Sequence, residues 1–168
     1  MSTKHRVLTI LMVYVMMVGC STLTTAEREV KKAEWKAYVV KCIDDRHYKI
    51  DVDMMNAHRG MSKALSSSWS LEVKSDSLDS YLPYFGRVFE PIYGENKGLN
   101  FDAPIQFYED SGFSKGKRTI RLRVDNSEDV IDYQLEITED GYANIDVYPR
   151  KREGISFSGQ IVEWDDKK

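Results

Sequence analysis

The densest concentration of groups able to hold a ligand is Ser80-Tyr81-Leu82-Pro83-Tyr84-Phe85-Gly86-Arg87. Three aromatics and an arginine in eight residues exceed what an alternating strand needs to fill a core, and Val88, Phe89, Ile92 and Tyr93 follow closely. A guanidinium stacked on an aromatic face suits an anionic or planar ligand, which makes Tyr81, Tyr84 and Arg87 the candidate ligand-binding residues. Pro83 cannot donate a ladder hydrogen bond, so a strand ends or runs along an edge there. Two arrangements fit: a packed plug over one end of the core, or an aromatic lip for a ligand. Alternation places Tyr81 and Phe85 toward one side and predicts Phe85 buried, with Tyr84 and Arg87 at the surface.

Catalytic and metal chemistry find little to work with. His47 and His58 lie eleven apart without a third ligand at metal-site spacing, so neither a metal nor a cofactor is expected. Asp51 and Asp53 could share acid–base work, but on an alternating strand they read as a solvated face. Gly112 to Lys117 lacks the spacing of a phosphate loop, and the sequence contains neither G-x-S-x-G nor H-E-x-x-H. No catalytic residue is therefore assigned. Lys115, Lys117, Arg118, Arg121 and Arg123 look like a basic patch. If Asp125 pairs with Val130, however, Arg123 faces Asp132 and Arg121 sits diagonal to Asp132 and Glu136, and the patch is neutralised.

The N-terminus carries a different chemistry. Lys4, His5 and Arg6 precede the uncharged run Val7 to Val18, which is long enough for a signal-peptide core and short of the roughly 20 residues that span a bilayer. Met17-Val18-Gly19-Cys20 then resembles a bacterial lipobox, with Cys20 as the residue to be lipidated. Residues 1–19 are expected to be a lipoprotein signal peptide, 20–24 the lipidated cysteine and tether, and 25–168 a single β-rich domain. Removing Lys4 and Arg6 moves the net charge from −3 to −5, which excludes an electrostatic footprint for nucleic acid. The remaining thiol, Cys42, reads as a packed small apolar residue.

Those groups must be positioned by a chain of 168 residues, enough for one ordinary domain. Thr24-Thr25-Ala26-Glu27 resembles a capping box. Ala26, Val30, Ala33, Ala37 and Val40 then form one stripe of a helix ending near Ile43, packed on the rest of the domain. After Asp45 the period changes to two. Tyr48, Ile50, Val52 and Met54 alternate with charges, and about seven further apolar segments follow, separated by polar turns that include Ser111 to Lys117. Eight short strands without intervening helices predict a mainly β fold, an antiparallel meander forming a barrel or a sandwich, with one N-terminal helix. A three-residue loop at Glu139-Asp140-Gly141 would set Ile137 opposite Ala143, Leu135 opposite Ile145 and Tyr133 opposite Val147, with Gly141 left-handed.

Several motifs are shared with a known family: Met55 to Gly60, Ser80 to Arg87, Gly98 to Ile105, Gly141-Tyr142-Ala143, and Ile155 to Gly159. Over about residues 30–162 the chain resembles the lipoprotein family numbered 4251 among bacterial domains of unknown function. The resemblance implies an envelope-anchored protein of Gram-negative anaerobes and supplies no activity to carry over. The expectation is a cell-envelope lipoprotein, anchored through Cys20 in the outer membrane and facing the periplasm. It would act as a binding or interaction module for a small-molecule or protein ligand. An envelope hydrolase, or a structural accessory of another envelope protein, is the alternative.

Overall fold

In the computed structural model, which describes residues 25–57, 62–89 and 98–164, the alternating segments become eight strands after one helix. Helix α1 covers Thr25–Asp44; the strands are β1 His47–Ala57, β2 Lys63–Lys74, β3 Ser77–Leu82 and β4 Leu99–Ser114, then β5 Lys117–Asp125, β6 Val130–Thr138, β7 Tyr142–Pro149 and β8 Ile155–Val162. Each strand pairs antiparallel with the next. β1 also pairs with β8, so the sheet closes into a barrel in chain order. Closure decides between barrel and sandwich, and it leaves no strand edge unpaired along the wall. The chain divides into two compact units, Met1–Ala33 and Glu34–Lys168, and all eight strands belong to the second.

The interior is filled by one face of every strand, including Ile50, Leu71, Leu78, Ile120, Leu135, Ile145 and Phe157. The other face is mostly polar, with Phe107, Tyr142 and Tyr148 exposed among its charged groups. Lys49 and Lys74 reach Glu72 at 2.9 and 3.1 Å, and Arg123 reaches Asp132 at 2.6 Å. A charged outer wall is the reverse of the apolar band that a lipid-facing barrel presents. Among the described residues no helix is long and apolar enough to cross a membrane.

The β6–β7 hairpin has the expected register, with Ile137 opposite Ala143, Leu135 opposite Ile145 and Tyr133 opposite Val147. Gly141 has φ +84°, and a Cβ there would lie 3.2 Å from Val39 and 3.4 Å from Trp35. Gly141→Val is therefore expected to destabilise by about 1 kcal/mol or more, through left-handed strain and crowding of α1. Urea titration checks this, and an unchanged midpoint would contradict it.

The basic patch is dispersed as the pairing implies. Asp125 stands opposite Val130, Arg123 opposite Asp132, and Arg121 opposite Gln134 with Asp132 and Glu136 on its diagonals. Arg118 does not belong to the outer wall at all. Its residue is 7% exposed, in phase with Ile120, Leu122 and Val124.

Three local expectations are corrected. The helix does not bury its Ala/Val stripe: Val30 and Ala37 are exposed, while Val39, Cys42 and Ile43 are buried and Trp35 and Tyr38 pack beside them. The larger side chains cover more apolar area, and Trp35 Nε1–H donates to the Asp140 carbonyl at 2.8 Å, which orients the helix. Along β1 the alternation slips at a bulge between Val52 and Met54, so Met55 takes the inward place expected of Met54. Ser111 to Ser114 belong to β4 rather than to a turn, and β5 begins at Lys117 directly opposite Ser114. Cys42 is buried, its Sγ–H donating to the Val39 carbonyl at 3.2 Å. Burial pushes this thiol up to about 11, away from thiolate chemistry.

Candidate functional site

The barrel has two unlike ends. The end holding the β6–β7 turn is covered by the last turns of α1. There Lys36 meets Glu139 at 3.0 Å, and Arg118 bridges Asp44 of the helix and Asp110 of β4. The opposite end carries Leu82 to Phe89, Gly98 and Leu99, the β5–β6 turn and the β7–β8 loop, and it gathers the candidate ligand-binding residues.

β3 ends at Leu82 because Pro83 has no N–H to continue the ladder. Just inside this end, Ser80 Oγ–H donates to the Leu99 carbonyl at 2.7 Å and accepts from the Tyr133 hydroxyl at 3.2 Å. Burial holds the Tyr133 phenol well above its usual range, so it remains a donor.

Beyond Pro83 the chain is fastened to the β7–β8 loop. The Phe89 N–H donates to the Lys151 carbonyl and the Glu153 N–H to the Arg87 carbonyl, both at 2.9 Å, which sets Val88 opposite Arg152. The Tyr84 hydroxyl proton is shared between the carbonyls of Glu153 at 2.9 Å and Arg87 at 3.0 Å. Arg152 is 2% exposed; its Nη1 donates to the Gly98 carbonyl at 2.8 Å and its guanidinium lies 5.5 Å from the centre of the Tyr84 ring. The carboxylate of Asp129 accepts from the backbone N–H groups of Arg150 and Lys151 and holds the same loop from below.

This scaffold exposes a row of apolar groups. Tyr81, Phe85, Val88 and Phe89 are all between 45 and 65% exposed. Tyr81 stacks on Trp69 at 4.7 Å between ring centres, and the Lys63 ammonium sits 5.4 Å over the Phe85 ring. Arg87 is exposed at the centre of the segment.

The burial expected within this segment is reversed. Tyr84 is the half-buried residue and Phe85 the exposed one. The parity of β3 carries through: Leu78, Ser80 and Leu82 face inward, Tyr84 continues that side, and Phe85 lies with Tyr81 on the exposed one. Tyr84 also has a hydroxyl to satisfy two carbonyls, which Phe85 lacks. Phe85→Ala is accordingly expected to change stability by no more than about 0.5 kcal/mol, and Tyr84→Ala to cost about 2 kcal/mol or more. Thermal melting of the two variants decides, and a collapsed Phe85→Ala protein would contradict the assignment.

Of the three residues singled out from sequence, Tyr81 and Arg87 reach the surface and Tyr84 supports them from behind. Lys63, Trp69 and Arg152 were not singled out as site residues. Lys63 and Trp69 come from a different strand, and Arg152 sits in a polar loop that reads as a turn. Asp51 and Asp53 are both solvent-exposed. His47 stacks on Trp164 at 4.7 Å, at the helix-covered end. No metal-binding cluster occurs among the described residues. His58 and Cys20 lie outside the described residues.

These features define a closed, eight-stranded, up-and-down β-barrel, sealed by a helix at one end and bearing an aromatic rim at the other. The family model for a domain of unknown function, DUF4251, matches residues 30–161, and the chain belongs to that family. The barrel is similar to the crystal structure of a DUF4251 family protein from Bacteroides eggerthii DSM 20697, with a TM-score of 0.61 and 13% sequence identity over 79% of this chain and 90% of that chain. No curated protein matches.

Proposed function

We propose that the protein is a cell-envelope lipoprotein, anchored through Cys20 in the outer membrane and facing the periplasm, that works as a binding module. Its ligand is an anion with a planar or apolar body, held at the rim by Tyr81, Phe85 and Arg87 while Tyr84 fixes their placement. One observation carries this reading: four apolar side chains are displayed to solvent on a segment that is hydrogen-bonded firmly in place. Apolar groups exposed together on a rigid support are what a binding surface requires, and they cost solubility otherwise. The Lys63 ammonium over Phe85 and the exposed Arg87 guanidinium add positive charge beside them.

The anchor is tested by radiolabelled fatty acid, which should enter the wild type and not Cys20→Ala; equal labelling would sink the anchor. The rim is tested by calorimetric titration of the full chain with 1-naphthalenesulfonate, a planar anion. Binding should weaken about tenfold in Arg87→Ala and in Tyr81→Ala while their melting stays that of the wild type. Equal binding by both variants would remove the rim as the site.

A further inference from the structure

The outer wall of the barrel carries a second set of groups, distant in sequence from the rim segment. One straight row crosses four strands: Phe107 of β4 stands opposite Arg123 of β5, Arg123 opposite Asp132 of β6, and Asp132 opposite Tyr148 of β7. Phe107 and Tyr148, at the two ends of the row, are 50% and 49% exposed. With Arg121 and Gln134 from the adjoining row, these residues line a groove of about 220 Å³. Strands lie about 4.8 Å apart, so three steps put the aromatic residues about 14 Å from each other.

The floor between them is polar and electrically balanced. Arg123 Nε donates to Asp132 Oδ1 at 2.6 Å and Nη2 to Oδ2 at 3.3 Å. Arg121 lies 3.8 Å from Glu109. The floor thus offers fixed donors and acceptors without net charge. Tyr148 is backed by the β7–β8 loop at Gly154, where a Cβ would come within 3.4 Å of the ring. The ring's position is therefore set by packing as well as by its own strand.

We propose that this groove binds a neutral carbohydrate chain laid across the strands, with sugar rings against Phe107 and Tyr148 and hydroxyls on Arg123, Asp132 and Gln134. The C–H face of a sugar ring is apolar with slightly positive hydrogens, and it meets the negative face of an aromatic ring favourably. Its hydroxyls both donate and accept, which matches a floor holding a guanidinium, a carboxylate and an amide. A purely apolar partner would strip water from those groups and give nothing back. A charged ligand would meet a like charge beside the opposite one in whichever ion pair it approached.

Native gels containing arabinoxylan, galactomannan or mixed-linkage β-glucan, with polygalacturonate as the charged comparison, test the proposal on the full chain. At least one neutral polysaccharide should retard the wild type. Phe107→Ala and Tyr148→Ala should each weaken that retention by about tenfold or more while melting as the wild type does. Arg87→Ala, at the rim, should be retained like the wild type, which separates this site from the one above. Retention by none of the neutral polymers, retention by polygalacturonate alone, or undiminished retention of both aromatic variants would overturn it. A photo-crosslinker at position 148 that captures a protein, with no polysaccharide retained, would instead make the wall a protein-docking face and equally overturn the proposal.

Discussion

Gly159→Ala is expected to break the barrel at its seam and to lower stability by about 3 kcal/mol or more. Gly159 stands opposite Val52 of β1 on one side and Ala143 of β7 on the other. A Cβ at Gly159 would lie 2.9 Å from both the Asp51 carbonyl carbon and the Val52 Cα, and closer still to the Asp51 carbonyl oxygen. All of these are backbone atoms, which cannot swing aside as a side-chain tip does. A β1 bulge lies beside Val52, and the added methyl must push the two strands apart. Overpacking a well-filled core costs about 1–3 kcal/mol where side chains can yield, and a clash with backbone belongs at or above the top of that range. Chemical denaturation gives the number. A Gly159→Ala protein with the wild-type midpoint would show that the seam has slack.

Arg118→Leu is expected to cost about 3–5 kcal/mol, the range seen when one partner of a buried ion pair is removed. Arg118 is nearly enclosed, with its guanidinium between Asp110 and Asp44. Asp44 is half exposed and can return to water; the Asp110 side chain is 20% exposed and cannot do so fully. Removing Asp110 as well, in Arg118→Leu/Asp110→Leu, should recover much of the loss, because no unpaired charge then stays buried. Burial alone would raise the Asp110 carboxyl. The Arg118 guanidinium and the Gly112 N–H outweigh it and hold the group below its ordinary 3.8. A carboxyl whose folded pKa is depressed adds stability that is complete above its unfolded value and disappears as pH falls through the folded one. The wild type should therefore lose stability below about pH 4, and Arg118→Leu should show a shallower loss over that window. Denaturation at neutral pH and at a series of acid pH values reads both effects. Parallel acid limbs in wild type and variant would remove Asp110 from the account.

The strands were most legible where apolar residues alternate without a break, in β5, β6 and β7, and the β6–β7 register followed from requiring both apolar sets to face inward. Arg118 shows how the same pattern carried more than was taken from it. It is in phase with Ile120, Leu122 and Val124, and that phase places a charge inside the barrel, where it needs a carboxylate. What hid this was its neighbours in sequence, Lys117, Arg121 and Arg123, which suggested a surface patch. The helix was legible as a helix but not in its orientation. Two stripes at helical spacing compete, and the one with Trp35, Val39 and Cys42 prevails through area and through a hydrogen bond to Asp140, which lies in a distant turn. The β1 bulge has no local signature, since Asp53 reads as an ordinary outward residue. At the rim, composition marked the right segment, while the side chains within it depended on the Ser80–Leu82–Tyr84 side of the strand being the inward one and on the Glu153 carbonyl of the β7–β8 loop that Tyr84 reaches.

The pairing of β1 with β8 also sets the order in which the molecule can be made. Every other strand pair joins chain neighbours and can form as a hairpin or a short extension, whereas Ile50 meets Ile161 across nearly the whole domain. That loop-closure entropy is spent before the last ladder returns anything, which makes closure of β1 on β8 the slow step of folding. Until β8 is available, β1 and β7 remain open edges bearing Ile50, Val52, Ile145 and Val147, the kind of surface that recruits other chains. The final eight-residue strand, Ile155–Val162, therefore governs solubility during synthesis as well as the finished shape. A chain cut short before Ile155 would stay an unfinished sheet with two sticky sides.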